Sequence, residues 1–199
     1  MILRGVLRVP DQGIDAPIVE CFRAPGDSFT VVDYAGVGRF ESGVLDGVVW
    51  ADDPTGGPRI KAGAERAESV RSADFYRAAN WREAYPERLT IGTVLRNGRA
   101  VWEVLTVSPE GKRVVHSFDA ETHLEVALAS TLATEGGPQS AETTFSRWVT
   151  FGGVLSPTRI SDTTGASSSI LDVESIDYDA VDFPTLTLPA GVAELVASP

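Results

Sequence analysis

The stretch that decides the fold is residues 64–85, which read AERAESVRSADFYRAANWREAY. It contains neither Gly nor Pro, and its charged residues separate from its apolar ones at helical spacing. The pattern predicts a helix over residues 64–80, and Pro86 terminates the segment. The alternative is a break near residues 72–74, where Asp74 would cap a second short turn.

On both sides of this segment the chain reads as short strands. Residues 3–9 are typical, because Arg4 and Arg8 alternate with apolar residues. Asp46-Gly47 and Asn97-Gly98 are signals for two-residue hairpin turns. We count about ten to eleven strands, and successive hairpins predict an antiparallel meander.

A sheet this wide curls instead of staying flat. We therefore predict a mainly β (α+β) fold, a strongly curved antiparallel half-barrel with one main helix covering its concave face. No linker divides the chain, so residues 1–199 are expected to form a single domain. Residues 52–61 and 136–138 are rich in Gly and Pro and are predicted to be loops.

Several strands are apolar on both faces, as residues 101–107 show. One face of such a strand can pack against the helix. The other face must meet a ligand, a partner, or an interior closed by the protein's own residues. Binding is therefore a better first hypothesis than catalysis.

Charge and composition exclude several classes of protein. The formal net charge of -11 argues against nucleic acid and against anionic membrane surfaces. The longest apolar runs are too short for a transmembrane segment. Met1 leads directly into a strand pattern without the features of a signal peptide, so we expect an internal protein or a leader that is absent from this sequence. Cys21 is the single cysteine and is expected to be buried in a strand.

Residues with catalytic or metal-binding chemistry are sparse. His116 and His123 could meet across a hairpin, but two exposed imidazoles are more often solvated than bound to zinc. The aspartates match no calcium-binding loop and fit turn formation. No nucleophile elbow appears, so the sequence predicts neither an enzyme nor a metal site or cofactor.

A succession of turns and aromatic residues resembles the outer-membrane lipoprotein-sorting (LolA/LolB-like) superfamily, in particular an uncharacterised branch found in envelope proteins. The resemblance spans about residues 4 to 185. In order, it is carried by Phe40-Glu41-Ser42-Gly43, Asp46-Gly47-Val48-Val49-Trp50, Asp53-Pro54, Gly56-Gly57, Ala73-Asp74-Phe75, Trp81, Tyr85, Phe118-Asp119, Leu124, Phe145, Trp148, Gly153-Val154-Leu155, Pro157, Val173-Glu174-Ser175-Ile176, Asp177-Tyr178 and Phe183-Pro184.

The resemblance implies an unclosed barrel whose apolar cavity accepts a lipid, an acyl chain or an acylated protein, without catalysis. It implies a periplasmic or outer-membrane-associated protein. The chain begins within the first strand, so the N-terminal helix of the family is expected to be missing. The alternative is a protein-interaction module of a larger envelope protein, with a self-filled sheet and an open edge strand over residues 3–9.

Aromatic side chains are the residues best able to line such a cavity, although each of them could equally be ordinary core packing. The predicted ligand-binding residues are Trp50, Phe75, Tyr76, Trp81, Tyr85, Trp102, Phe145 and Trp148.

Overall fold

The computed structural model describes residues 1–134 and 137–197, which are built mainly of strands. The first six strands are β1 (Ile2–Val9), β2 (Ile14–Arg23), β3 (Asp27–Tyr34), β4 (Gly38–Leu45), β5 (Val48–Asp53) and β6 (Gly57–Ile60), with a 3-10 turn at Pro10–Gln12. Two helices follow, α1 (Gly63–Ala73) and α2 (Trp81–Ala84). The remaining elements are β7 (Glu87–Arg96), β8 (Arg99–Val107), β9 (Arg113–Asp119), β10 (Glu125–Thr134), β11 (Gly137–Phe151), β12 (Val154–Thr164), β13 (Ser167–Asp177) and α3 (Ala190–Ala197).

The strands form one sheet in the order β6-β5-β4-β3-β2-β1-β13-β12-β11-β10-β9-β8-β7. The chain starts at the centre of the sheet and runs outward to β6. A crossing segment, residues 61–86, then carries it to the opposite edge at β7. From there the chain returns to the centre, where β13 pairs antiparallel with β1. The edges β6 and β7 do not pair with each other, so the sheet is unclosed.

The prediction of a mainly antiparallel β fold is confirmed, but three details of it are wrong. The described residues contain thirteen strands instead of ten to eleven. One of them, β6, lies inside the predicted loop 52–61, where an edge strand can accept Pro58 because its N–H is not needed for pairing. Strand β11 begins at Gly137, within the predicted loop 136–138, and Gly136 lies outside the described residues.

The main helix is shorter than the predicted span 64–80, because α1 ends at Ala73. Asp74 has extended backbone angles, and its carboxylate accepts the N–H of Tyr76 at 2.8 Å. This local bond competes with continuation of the helix. The alternative break near residues 72–74 is therefore the one that the chain adopts.

The prediction that residues 3–9 form an open edge strand is also wrong. Strand β1 pairs with β2 on one side and with β13 on the other, so it is central and offers no free edge. The outer strands of the sheet are β6 and β7. An irregularity between Thr90 and Gly92 interrupts the register of β7, a feature that blunts an exposed edge.

The two faces of the sheet are covered by different parts of the chain. On the helix face, Val44 and Val49 pack against Ala73 of α1. A larger cluster continues across the floor of this face and includes Leu3 and Ile18. The opposite side, the tail face, is covered by the chain that follows β13.

The tail is the main element that the sequence did not predict. Its Leu186 and Val192 pack with four buried residues of the sheet: Ile2, Cys21, Leu45 and Trp50. Helix α3 contacts β6 and β5. The burial of Cys21 agrees with the prediction for that residue.

The sheet curls toward the helix face. Helix α1 touches β4 and β5, and its Arg71 bonds to Glu110 in the turn between β8 and β9. In the sheet order β4 and β9 are eight positions apart, about 38 Å if the sheet were flat. An 11-residue helix is only about 16 Å long. The helix and the side chains of Arg71 and Glu110 can bridge this gap only if the sheet bends toward the helix face between β4 and β9.

Candidate binding face

A row of four rings lies on the helix face of β8 and β9. Trp102 and Phe118 are register partners on these strands. Phe118 stacks on His116 with ring centroids 6.2 Å apart, and Tyr85 of the crossing segment meets the edge of His116 at 5.8 Å. Trp102 is 45% exposed. This aromatic row therefore runs from beneath the crossing segment out to solvent.

Hydrogen bonds hold His116 in place within the aromatic row. Its Nδ1 donates to Glu125 Oε1 at 2.6 Å, and its Nε2 lies 2.9 Å from Thr106 Oγ1. A carboxylate, an imidazole and a hydroxyl thus follow one another in the order found in a hydrolase triad. Thr106 is only 5% exposed, however, so its hydroxyl is withdrawn from any substrate on this face. The arrangement fits a structural role.

Further aromatic rings stand on the crossing segment. Phe75 and Tyr76 pack edge to face with centroids 5.3 Å apart, and both remain exposed, by 37% and 52%. The Trp81 ring lies 4.4 Å from the Arg82 guanidinium and 5.0 Å from that of Arg88. These cation–π contacts hold Trp81 without burying it.

The predicted ligand-binding residues thus fall into two groups. Six of them lie on the crossing segment or on the helix face: Phe75, Tyr76, Trp81, Tyr85, Trp102 and Phe145. Trp50 is 0% exposed in the tail-face cluster. Trp148 is three positions from Phe145 in β11, but the positive φ of Arg147 interrupts the alternation between them. The candidate face therefore excludes Trp50, and the assignment of Trp148 to it stays a prediction.

Sequence reasoning did not predict two members of the aromatic row, Phe118 and His116, as ligand-binding residues. They are two residues apart in β9, so they share a face, and Trp102 and Val104 are their partners on β8. Pairing the predicted strands on both sides of residues 108–112 would have brought all of them together. That step needs the register of the sheet, which periodicity within one strand does not supply.

Glu20 is a second residue that the sequence did not single out. Its register partners are Leu3 on β1 and Thr30 on β3, so its side chain points to the helix face with that of Leu3. Burial raises the pKa of the Glu20 carboxyl above its ordinary value. Within the described part of the chain, no hydrogen bond or ion pair to this carboxyl is found.

The raised pKa predicts a particular pH dependence of stability. Folded Glu20 keeps its proton to higher pH than the unfolded chain does, so its contribution to the free energy of unfolding falls as pH rises above 4.5. Glu20→Gln should therefore be more stable than wild type at pH 7, with a difference that shrinks toward pH 4. Urea unfolding of both proteins at several pH values measures this difference.

Comparing the two proteins is necessary because other carboxyls titrate in the opposite sense. Hydrogen bonds from Arg59 lower the pKa of Glu65, so stability from that group is lost as pH falls. The contributions of such groups cancel when the free energy of unfolding of wild type is subtracted from that of Glu20→Gln. A difference that stays constant from pH 4 to pH 7 would show that Glu20 is not desolvated.

The tail face has two hollows of its own. A cavity of about 280 Å³ lies between β2, β3 and β4 and the tail, with Cys21, Phe29 and Leu186 in its wall. A more open groove of about 820 Å³ runs over β8 to β11, with Leu105 and Val115 in its floor. The groove is rimmed by charged residues, and Arg96 bonds to Glu142 across this side of the sheet.

The described ranges 1–134 and 137–197 contain no group of three or more His, Cys, Asp or Glu side chains placed to hold a metal ion. None of their helices combines the length and the apolar character needed to cross a bilayer.

The architecture defines the class of protein: the chain has a LolA-like fold, as the motifs in its sequence predict. A DUF1329 family protein from Desulfovibrio piger shares it with a TM-score of 0.60 at 14% identity, over 90% of this chain and 85% of that one. A LolA superfamily protein from Nitrosomonas europaea has a TM-score of 0.59 at 11% identity, over 92% and 88%. A domain from Vibrio parahaemolyticus, named for outer membrane lipoprotein sorting, has a TM-score of 0.58 at 11% identity, over the same shares.

These likenesses concern the fold alone, because the identities are so low. At the level of sequence, no family model and no curated protein matches the chain.

Proposed function

We propose that this protein binds the apolar part of a lipid, an acyl chain or an acylated protein on its helix face, without catalysis, in the cell envelope. The observation that carries the proposal is the aromatic row, which ends at the exposed Trp102. Exposed rings on a concave surface are typical of a binding site. The names of two similar structures, a lipoprotein-sorting domain and a LolA superfamily protein, support the same class of ligand.

The crossing segment is suited to move when a ligand enters or leaves. Only Ala73 of α1 is buried. The remaining attachments to the β8–β9 turn are ionic, because Arg71 bonds to Glu110 and Lys112 bonds to Glu68 at 3.0 Å. Partly exposed ion pairs of this kind each contribute little and are screened by salt. The segment can therefore shift at modest cost while the sheet stays intact.

Binding should strengthen with the length of the apolar chain. Each buried methylene contributes about 0.8 kcal/mol, roughly a fourfold change in Kd. We expect isothermal titration with the uncharged alcohols octanol, decanol and dodecanol to show this progression. Native mass spectrometry after gentle purification should reveal co-purified lipid.

Substitution of the aromatic row tests the location of the site. Trp102→Asp should weaken dodecanol binding by about tenfold or more, since it puts a charge on the apolar path. The matched control is Leu155→Asp, which changes a residue that is 47% exposed in β12, close to the 45% of Trp102. Equal affinities of both variants and wild type would place any bound alcohol elsewhere.

A second candidate, a protein-interaction module, is favoured by one observation. The floor of the helix face over β12, β13 and β1 to β4 is filled by its own side chains, with Leu3, Ile18 and Val32 all buried. A fully self-filled hollow would take up no alcohol of any length. Absence of both the chain-length progression and of co-purified lipid would favour this candidate over lipid binding.

A further inference from the structure

Glu20 occupies an unusual position in the floor of the helix face. Two of its neighbours on this face are apolar and buried, namely Ile18 in the same strand and Leu3 in β1. Placing a carboxylate in such surroundings costs free energy unless another group compensates it. A leucine at this position would extend the cluster, so the carboxylate works against the stability of the fold.

No ion pair to Glu20 is found among the described residues, and two cations of the crossing segment have other partners. On the crossing segment, Arg71 bonds to Glu68 and Glu110, and Lys61 lies 3.9 Å from Glu65. No charged group of the protein appears among the causes that shift the pKa of Glu20, and desolvation is the only one. Its negative charge is therefore left without a compensating cation among the described residues.

A short polar strip leads away from Glu20 across the sheet. Thr30 is its partner on β3, and Ser42 is the partner of Thr30 on β4. Neighbouring strands are about 4.8 Å apart, so the strip spans about 10 Å. The row beside it is apolar, with Ile18, Val32 and Phe40 in register. Thr30, Ser42 and Phe40 are each only partly buried, so the two hydroxyls can bond to a polar group and the Phe40 ring can contact an apolar chain.

We propose that Glu20 selects amphiphiles with a cationic, ammonium-bearing head, whose apolar chain lies on the helix face. An ammonium group supplies the missing positive charge. Its N–H groups can also donate hydrogen bonds to the carboxylate and to the two hydroxyl oxygens. The net charge of -11 attracts cationic ligands and repels anionic ones. This inference rests on the proposed function, since it names the kind of ligand that the same face prefers.

Three ligands with the same chain and different heads provide the test at pH 7: dodecylamine and dodecanoate below their critical micelle concentrations, and dodecanol below its solubility limit. We expect titration calorimetry to show that wild type binds dodecylamine at least tenfold more tightly than dodecanol, and dodecanoate most weakly. In Glu20→Gln the affinities for the amine and the alcohol should differ by less than about threefold, because the attraction between opposite charges is gone. The affinity for dodecanol itself should be retained.

The matched control is Glu41→Gln, which removes a carboxylate whose register partner, Val31, lines the tail-face cavity. It should keep the preference of wild type for the amine. If wild type binds all three ligands equally, or if Glu20→Gln keeps the preference, the inference about Glu20 is wrong while lipid binding stands. If wild type binds none of the three, both the inference and the proposed function are wrong. Circular dichroism of each variant confirms that it is folded.

Discussion

Replacing Trp50 by alanine is expected to lower the free energy of unfolding by about 4 kcal/mol. The side chain is 0% exposed and is the largest of those that are fully buried in the described residues. Its ring packs against Phe29 at a centroid distance of 6.1 Å and belongs to the cluster formed with Leu186 and Val192 of the tail. Truncation would leave a large cavity beneath the tail and loosen its attachment to β5 and β6.

The loss can be measured by urea unfolding followed by far-UV circular dichroism. Trp102→Ala is the matched control and should cost no more than about 1 kcal/mol, because Trp102 is 45% exposed. A conservative variant, Trp50→Phe, should cost clearly less than Trp50→Ala. The indole Nε1 of Trp50 is buried without a hydrogen-bond partner, so phenylalanine removes an unsatisfied donor as well as volume. Equal losses for Trp50→Ala and Trp102→Ala would contradict the described packing of the tail.

Gly43→Ala is expected to lower the free energy of unfolding by about 2 to 4 kcal/mol, a large effect for one methyl group. Gly43 lies opposite Trp50 in the register of β4 and β5. A Cβ at this position would stand 2.7 Å from the Trp50 ring and closer still to the backbone oxygen of Ser28. Neither neighbour can yield easily, since one belongs to the β3 backbone and the other is enclosed on all sides.

Gly26→Ala is the matched control for this substitution. A Cβ added at Gly26 would meet no other atom within 4 Å, and this glycine does not require left-handed backbone angles. Its replacement should therefore change stability by less than about 0.5 kcal/mol. The same urea unfolding compares the two variants. A near-neutral Gly43→Ala would mean that Trp50 does not rest on the backbone of β4.

The parts of the fold that the sequence predicts well are those with local causes. Asp46-Gly47 and Asn97-Gly98 each take positive φ at both positions, as a tight hairpin requires, and the hairpins on either side follow from them. The ordered succession of such turns and of aromatic residues was enough to predict the LolA-like fold. Helix α1 ends beside Asp74, whose carboxylate accepts a hydrogen bond from the Tyr76 N–H, and the helical pattern does not reveal this bond.

The candidate face depends on register and on distant segments, and this is where sequence reasoning falls short. Trp50 and Trp102 have similar strand patterns around them, yet one is enclosed by the tail and the other is open to solvent. In the tail, Pro184, Pro189 and Gly191 interrupt the apolar residues, so no regular periodicity predicts its packing. Glu20 looks like an ordinary polar position until its partners Leu3 and Thr30 are known.

The pairing of β1 with β13 has a consequence for how the chain acquires its shape. Every other pair of neighbouring strands is consecutive along the chain, whereas this ladder joins residues about 170 positions apart, as in Leu3 with Ile176. Closing so long a loop carries the greatest entropic cost in the sheet, and non-local pairing of this kind slows folding. Each half of the sheet can form from its own local hairpins. We expect the pairing of β1 with β13, which joins the two halves, to be the rate-limiting step of folding.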